Sequence, residues 1–291
     1  LPSTRKLAKY LQVSRTTVDL AYEQLVSEGY IEAIPCRGYF VCNLEGLYRL
    51  KTKQPQKETP ARQEQERYLY DFSPYGVDLH SFPQNAWRKL SKEVLLEEER
   101  SLFQLGDPQG ELQLRCSIAA YLHQARAVEA DPEQIVVGAG NEFLLLLLCS
   151  LFGTGQTIAM ESPTYKKAYD LFRNLSNQVR IVEMDESGMR VDLLEQTDAR
   201  VAYVMPSHQF PLGKVMPVGR RMQLLAWAAA KEGLYIIEDD YDSEFRYKVK
   251  PIPALQGYDR AERVIYIGTF SKSIAPAIRV SYLVLPKSLL A

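Results

Sequence analysis

The chain has 291 residues, of which 46% are hydrophobic and 24% charged, which predicts a globular protein with a sizeable core in one large domain or two unequal ones. A formal net charge of −1 at pH 7 excludes a general attraction to polyanions, so any nucleic-acid surface must be local. The four cysteines lack CxxC pairs and zinc-ligand spacing, and the chain shows neither a bilayer-spanning apolar run nor a signal-peptide pattern, so we expect a cytoplasmic protein without a metal or membrane site.

The N-terminal part of the chain combines two helical patterns with a hairpin pattern. Ser3 and Ser14 are suited to cap helices, and the second helix is expected over about Arg15 to Glu28, with Gly29 ending it. The stretch YIEAIPCRGYFV then predicts two short strands around a turn. Helix, tight turn, helix and hairpin is the order of a winged helix-turn-helix.

This pattern suits DNA recognition, because a recognition helix meets the major groove with its N-terminal turn. The candidate DNA-contacting residues lie in that turn, in the preceding helix and in the wing: Ser14, Arg15, Thr16, Thr17, Arg5 and Arg37. Capping residues followed by a polar turn also occur at many helix starts. The pattern alone therefore leaves DNA binding and an ordinary capped helix both open.

Three motifs carry a resemblance over about forty residues. LPSxRxLA, VSRxTVxxAYxxLxxEGY and RGYFV stand in the order found in the DNA-binding domain of the GntR family, from its second helix to its wing. The resemblance implies a GntR-type winged helix-turn-helix over residues 1–42, with the family's first helix missing and operator DNA as the partner.

Residues 43–67 are rich in Lys, Arg, Glu, Gln and Pro, with almost nothing to bury after Leu50. This composition predicts a solvated linker. A charged surface helix in the second half of the stretch is the alternative.

From residue 68 onward, short apolar runs alternate with helical patterns. Seven runs are candidate strands: IVVGA, TIAMES, VRIVEM, VAYVMPS, YIIEDDY, VIYIGTF and RVSYLVLP. Because many are nearly continuous in Val, Ile and Tyr, we expect an α/β domain whose mainly parallel sheet is buried on both faces. Such sheets bind ligands at the carboxyl ends of their strands, and the polar residues of this chain follow those ends.

Two of these strand ends suit a planar anionic ligand. In VVGAGNE, the backbone N–H groups of Gly140 and Asn141 begin a helix, where an anion is favoured. Tyr165 follows the strand ending in ESPTY, and its ring could lie on a planar ligand. Each signal has an ordinary alternative, since glycine turns and packed tyrosines are common.

The strand end YIIEDDYDSEF carries consecutive acids, which a buried strand rarely has without a cationic partner or ligand. One carboxylate beside a pyridine nitrogen would keep that nitrogen protonated, and the tyrosine could donate to a ring oxygen. A magnesium site or a structural ion pair competes with this interpretation.

The stretch GTFSKSIAPAIR follows the next strand. The hydroxyls of Thr269 and Ser271 and the guanidinium of Arg279 suit a phosphate, while Lys272 supplies an amine that can condense with an aldehyde. A phosphate, a protonated pyridine and an aldehyde together describe pyridoxal 5'-phosphate (PLP).

Residues 68–286 resemble the large domain of the class I/II aminotransferase-like, fold-type I PLP proteins. The motifs are PSHQFPLGKVMPVGRR, EDDYDSEFRY and GTFSKSIAPAIRVSYLVLP. A GntR domain, a linker and this domain occur in the same order in the MocR/GabR group of bacterial transcriptional regulators, which the chain resembles. The resemblance implies a fold-type I large domain over residues 68–291 with a seven-stranded sheet. The small C-terminal domain is absent, so we expect the chain to be a fragment.

The resemblance also implies roles for single residues. Lys272 would form the Schiff base with PLP, the internal aldimine. Asp239 would pair with the pyridine nitrogen, Tyr241 would contact the ring hydroxyl and Tyr165 would stack on the ring. The residues expected to hold the phosphate are Gly140, Asn141, Thr269, Ser271 and Arg279.

The chain departs from the family pattern in two loops. Where many aminotransferases carry NNPTG, this chain has HQFPLG, so Phe210 cannot make the contact of an asparagine to the ring oxygen. His208 of this loop either approaches the site or is a local hydrogen-bond anchor. The phosphate turn, commonly SGAQQ, is GAGNE here and has lost one hydroxyl.

The favoured function is a transcriptional regulator, expected as a homodimer, that senses an amino acid, an amine or PLP itself through Lys272. The alternative is an active PLP-dependent aminotransferase with an accessory DNA-binding domain, in which Lys272 would move a proton. A degenerate domain that only dimerises is a third possibility, against which the intact lysine, acid and arginine argue.

Overall fold

A computed structural model gives the fold of the chain. It describes residues 1–43, 70, 81–97, 103–242, 244–245 and 252–290. The expected linker lies outside the described residues apart from Asn43. The chain divides into two units, Leu1–Tyr70 and Asp71–Ala291, which are described separately below. Within the described ranges, no helix has both the length and the apolar character needed to cross a membrane.

Residues 1–43 of the first unit form two helices and a hairpin: α1 (Thr4–Leu11), α2 (Arg15–Ser27), β1 (Ile31–Ile34) and β2 (Gly38–Val41). The predicted caps are confirmed, because Ser3 Oγ accepts from the Lys6 amide at 3.3 Å and Ser14 Oγ accepts from the Thr17 amide at 3.1 Å. Gly29 follows α2 with a φ of +75°, as expected of a glycine that ends a helix. A small core of Ala8, Val18, Tyr22 and Ile31 holds these elements together.

The described residues of the second unit form one sheet of eight strands. The strands are β3 (Ile135–Gly138), β4 (Thr157–Ser162), β5 (Gln178–Asp185), β6 (Gly188–Met189), β7 (Val201–Val204), β8 (Tyr235–Asp240), β9 (Val264–Thr269) and β10 (Ser281–Val284). Their order is β3-β10-β9-β8-β7-β4-β5-β6. β9, β8, β7, β4 and β5 run parallel, whereas β10 is antiparallel to both of its neighbours and β6 is antiparallel to β5.

All seven predicted strands and the mainly parallel sheet are confirmed, but the count of seven was wrong by one. The eighth strand, β6, has two residues and pairs with the end of β5 through Met184–Met189 and Asp185–Gly188. A two-residue strand in a tight hairpin leaves no apolar run, so sequence periodicity could not reveal it.

In the described part of the second unit, six α-helices accompany the sheet: α3 (Gln84–Glu97), α4 (Leu112–Arg126), α5 (Asn141–Phe152), α6 (Lys166–Asn174), α7 (Val191–Leu194) and α8 (Val218–Ala229). α5 and α6 pack on one face of the sheet, and α7 and α8 pack on the other. α4 packs on the same face as α7 and α8, at the edge of the sheet formed by β3. Neighbouring residues of β8 show this sandwich, since Ile236 packs on the α8 side and Ile237 on the α5 side.

The parallel register sets where the polar side chains meet. Asp239 of β8 lies opposite Ile267 of β9, and Glu238 lies opposite Val204 of β7. The turn after β3 and the turn after β9 therefore open at the same edge as the acidic end of β8. This carboxyl edge holds the candidate site.

Candidate cofactor site at the carboxyl edge of the sheet

Asp239 is the central acidic residue of the edge, with only 3% of its surface exposed. Its Oδ2 accepts from Asn141 Nδ2 at 2.8 Å and from the hydroxyl of Tyr203. Its Oδ1 is buried without a hydrogen-bond partner among the described residues. Burial raises the pKa of Asp239 to about 6, despite the lowering effect of the two hydrogen bonds. A protonated ring nitrogen would give Oδ1 a donor and offset the burial of the charge, so this residue fits a pyridine ring.

The two neighbouring acids have partners of their own. Asp240 accepts from Arg126 Nε at 2.9 Å and from the hydroxyl of Tyr266 at 2.6 Å. Glu238 accepts from the amides of Leu255 and Gln256 at 2.7 and 2.9 Å. Because side chains alternate along a strand, Glu238 and Asp240 face the α8 side and Asp239 faces the α5 side.

This alternation separates the two interpretations of the acidic stretch. Asp240 and Arg126 form a structural ion pair in which both side chains are buried. Asp239 remains on the opposite face with an unsatisfied oxygen. Over the ranges that the structure describes, no group of three or more His, Cys, Asp or Glu side chains is arranged to hold a metal ion.

The turn after β3 and the segment after β9 meet at Arg279. The guanidinium Nη2 of Arg279 donates to the Ala139 carbonyl at 3.0 Å. Gly140 has a φ of +102°, and a Cβ added there would collide with the same guanidinium. Gly140 thus allows the arginine to lie directly over the backbone at the start of α5. Cation and helix start together suit an anion such as phosphate.

The amides at this helix start are not equivalent. The Gly140 amide donates to the Gly138 carbonyl at 3.0 Å within the turn. Asn141 is the first residue of α5, where an amide has no intrahelical acceptor, and its side chain is the one that contacts Asp239. Asn141 therefore links the expected phosphate end of the site to the expected ring-nitrogen end.

Hydroxyl groups line the segment after β9. Thr269 Oγ1 donates to Ser271 Oγ at 2.9 Å, accepts from the Ser271 amide at 3.1 Å and accepts from Ser281 Oγ at 2.7 Å. Lys272 follows in the turn after Ser271, with an exposed side chain. Burial raises the pKa of Asp242 above its usual value, against the lowering effects of the hydrogen bond from His208 and, to a smaller extent, the charge of Lys272.

A row of aromatic rings joins the two expected tyrosines. Phe210 packs edge-on against Tyr165, with ring centroids 6.1 Å apart, and edge-on against Tyr241 at 6.3 Å. The ring of His208 stacks on Tyr241 at 6.4 Å, and its Nδ1 lies 2.5 Å from Asp242 Oδ2. His208 is thus hydrogen-bonded to Asp242 in the segment after β8, and Phe210 lies between the two tyrosines.

The sequence did not reveal three side chains of this edge. Tyr203 and the side chain of Glu142 contact residues expected at the cofactor, and Arg126 neutralises Asp240. A signal existed for Tyr203, because a tyrosine in a strand buried on both faces needs a partner for its hydroxyl. Glu142 offered a weaker signal, a carboxylate in the turn expected to hold a phosphate.

In the first unit, all six residues expected at DNA are exposed: Arg5, Ser14, Arg15, Thr16, Thr17 and Arg37. The hydroxyls of Ser14 and Thr17 lie 2.7 Å apart within the helix cap. Arg15 Nε lies 3.4 Å from Asp19 Oδ2, an exposed ion pair that a phosphate could replace.

Each of the two units matches a known protein family. Residues 74–291 match the family described as aminotransferase class I and II, and residues 1–41 match the gntR family of bacterial regulatory proteins. Similar curated proteins include the uncharacterized HTH-type transcriptional regulator YdeL of Bacillus subtilis, 43% identical over 100% of this chain and 62% of that protein. The HTH-type pyridoxine biosynthesis transcriptional regulator PdxR of Corynebacterium glutamicum is 36% identical over 98% of this chain and 61% of its own length. This chain therefore spans less than two thirds of the length of both relatives.

Solved structures of aminotransferases share the fold of the second unit. The multiple substrate aminotransferase of Thermococcus profundus superposes with a TM-score of 0.67 and 31% identity, over 73% of this chain and 55% of that one. The kynurenine aminotransferase of Pyrococcus horikoshii, solved in complex with PMP, gives a TM-score of 0.66 and 28% identity, over 72% of this chain and 54% of that one.

Proposed function

Since the chain belongs to the aminotransferase class I and II family through residues 74–291 and carries a gntR-family domain at residues 1–41, we propose that it acts in a DNA-binding transcriptional regulator that binds PLP. The observation that carries the cofactor proposal is the geometry of Asp239. Its buried carboxylate has two donors on one oxygen and none on the other among the described residues. A ring N–H is a donor of the required kind.

The residues of the edge then have separate tasks. Asp239 orients the ring through its nitrogen, and Tyr165 and Tyr241 contact the ring face and the ring hydroxyl. Arg279, the hydroxyls of Thr269 and Ser271 and the amide of Asn141 hold the phosphate. Gly140, whose amide donates to the Gly138 carbonyl, contributes by allowing Arg279 to lie over the helix start. When bound, PLP supplies an aldehyde that condenses reversibly with amines. Lys272 provides the amine of the protein.

An effector amine or amino acid could compete with Lys272 for that aldehyde. For the ligand to regulate transcription, it must bind one arrangement of the DNA-binding units better than another. We propose a homodimer, which brings two winged helices to one operator. A role on chromosomal DNA places the protein in the cytoplasm. An active aminotransferase is not favoured, because similar proteins that share both domains bear regulator names.

Chemical trapping in the full-length protein tests the cofactor proposal. PLP is added, the complex is reduced with borohydride, and the labelled peptide is identified by mass spectrometry. We expect a pyridoxyl group on Lys272 and its loss in Lys272→Ala. Lys166→Ala removes an exposed lysine paired with Asp170 and serves as the matched control. A label on another lysine in the wild-type protein would contradict the assignment.

Binding of sonicated chromosomal duplex DNA tests the other half of the proposal. Arg15→Ala should weaken binding and reduce the slope of log affinity against log salt by about 1, because one phosphate contact is lost. Arg180→Ala removes an exposed arginine from the second unit and should leave the slope unchanged. An unaltered salt slope in Arg15→Ala would remove this residue from the DNA surface.

A further inference from the structure

Glu142 places a carboxylate among the residues expected to hold the cofactor. It is the second residue of α5, directly after Gly140 and Asn141. Its Oε2 lies 3.6 Å from Arg279 Nη2. Its Oε1 lies 3.4 Å from Lys167 Nζ and accepts from the Tyr165 hydroxyl at 3.4 Å. One side chain thus contacts both the arginine expected at the phosphate and the tyrosine expected at the ring.

The carboxylate of Glu142 is ionised at neutral pH. Partial burial raises its pKa, but the backbone hydrogen bond at the helix start, Lys167 and Arg279 together lower it below the usual value. A negative charge on the first turn of a helix is itself favourable. The guanidinium of Arg279 therefore already has an anionic neighbour before any phosphate arrives.

A bound phosphate would bring up to two negative charges to the same guanidinium. The phosphate and the Glu142 carboxylate would then repel each other at short range, although solvent weakens the repulsion because the side chains of Arg279 and Glu142 are 53% and 37% exposed. Lys167 offers the carboxylate a second cation, so Glu142 can leave Arg279 without losing every partner. In the common SGAQQ turn this position carries a neutral glutamine, which would impose no such repulsion.

We propose that Glu142 limits the affinity of the site for phosphorylated ligands, by occupying Arg279 in the free protein and by repelling the phosphate in the bound one. This inference rests on the proposed function and adds a way in which the site is regulated. A PLP held against an opposing charge exchanges with the free pool, so the site would respond to the concentration of PLP. A site that keeps its cofactor permanently would not respond in this way.

Titrations on the full-length protein compare Glu142→Gln with the wild type. We expect Glu142→Gln to bind PLP about three- to fivefold more tightly at low salt, with a smaller gain in 1 M salt, because screening weakens the repulsion between partly exposed charges. Binding of pyridoxal, which lacks the phosphate, should change less than twofold. Glu129→Gln removes the same charge from a side chain that is 65% exposed and pairs with Arg260 in segments that precede β3 and β9, and it should change neither affinity.

Inorganic phosphate, followed by phosphorus NMR, separates this inference from the function on which it rests. Tighter phosphate binding by Glu142→Gln supports the role of Glu142 even if no variant binds PLP, an outcome that would overturn the proposed function alone. Equal or weaker binding of both phosphate and PLP by Glu142→Gln would overturn the inference. Glu142 would then be a support that holds Arg279 in place.

Discussion

Asn141 and Asp239 are joined by a hydrogen bond of 2.8 Å, from the side-chain amide at the start of α5 to the carboxylate at the end of β8. The Tyr203 hydroxyl donates to the same oxygen. Two donors on Oδ2 fix the rotation of the carboxylate, so that Oδ1 has one direction in which to accept. Loss of either donor should therefore affect the cofactor as well as the stability of the fold.

Tyr203→Phe tests this directly. The hydrogen bond from Tyr203 is the largest influence that lowers the pKa of Asp239 against the raising effect of burial, so the pKa should move above its value of about 6. Near pH 7 a larger fraction of Asp239 is then protonated and cannot pair with a ring N–H. We expect PLP to bind several-fold more weakly at pH 6.5, with partial recovery at pH 8.5, measured by absorbance titration.

Tyr266→Phe is the matched control for Tyr203→Phe. Tyr266 is also a fully buried tyrosine, on β9, which borders β8 on the side opposite to β7, and it donates to Asp240 instead of Asp239. Each variant should lose about 1–2 kcal/mol of unfolding free energy, because each leaves a buried carboxylate with one donor fewer. Only Tyr203→Phe should weaken PLP binding. If both variants weakened PLP binding equally, Asp239 would have no specific role in holding PLP.

The strands of the sheet were predictable because their residues are buried on both faces, which leaves continuous runs of Val, Ile and Tyr in the sequence. The helix caps of the first unit were predictable for a similar reason. Ser3 and Ser14 act on amides three residues away, so both partners lie within one stretch. Local chemistry of this kind is visible in the sequence, whereas the two-residue strand β6 is too short to be seen.

The partners of the acidic residues were not predictable. Asp240 pairs with Arg126, which lies 114 residues earlier, and Asp239 accepts from Asn141, which lies 98 residues earlier. In each pair, the sequence around one residue gives no indication of which residue is its partner. The alternation of side chains along β8 separates Asp239 from its neighbours in principle. Without the topology, however, it does not show which face holds the arginine and which face holds the site.

Glu161 on β4 should make stability depend on pH. Only 1% of its surface is exposed, and burial raises its pKa from 4.5 to about 7. A carboxyl with a raised pKa in the folded state favours folding below pH 4.5, and that contribution is lost as the pH rises through 7. The free energy of unfolding of Glu161→Gln should therefore be about 3 kcal/mol higher than that of the wild type at pH 8, with almost no difference at pH 4.

Urea unfolding of Glu161→Gln across this pH range checks the prediction. Glu183→Gln is the control, because Glu183 lies opposite Ser162 on the neighbouring strand and is exposed. It should show no such pH dependence. A constant stability difference between Glu161→Gln and the wild type from pH 4 to 8 would mean that the titration of Glu161 does not contribute.

Breaking the ion pair between Arg126 and Asp240 should cost far more stability than breaking an ion pair at the surface. Arg126 is 4% exposed, and its guanidinium also donates to Ser207 Oγ and the Ile252 carbonyl, each at 2.5 Å. Arg126→Ala leaves Asp240 buried without its cation, so we expect a loss of about 3–5 kcal/mol in unfolding free energy. Denaturation by urea measures this loss.

Arg180→Ala provides the comparison, because Arg180 forms an ion pair with Asp198 in which both side chains are at least half exposed. Water replaces such a partner readily, so the expected loss of stability is a small fraction of that in Arg126→Ala. Similar losses in the two variants would mean that burial does not set the value of the Arg126 pair.

Gly140→Ala and Gly153→Ala separate backbone strain from displacement of Arg279. Both glycines have a positive φ, +102° and +77°, so both alanines should cost about 1–3 kcal/mol of stability. A Cβ on Gly153 meets nothing within 4 Å, whereas one on Gly140 would collide with the guanidinium of Arg279.

Because the side chain of Arg279 is flexible, it should swing away from the start of α5 in Gly140→Ala. We therefore expect Gly140→Ala alone to bind inorganic phosphate and PLP about tenfold more weakly, measured by titration. Unchanged affinity in Gly140→Ala would mean that Arg279 holds no anion above this turn.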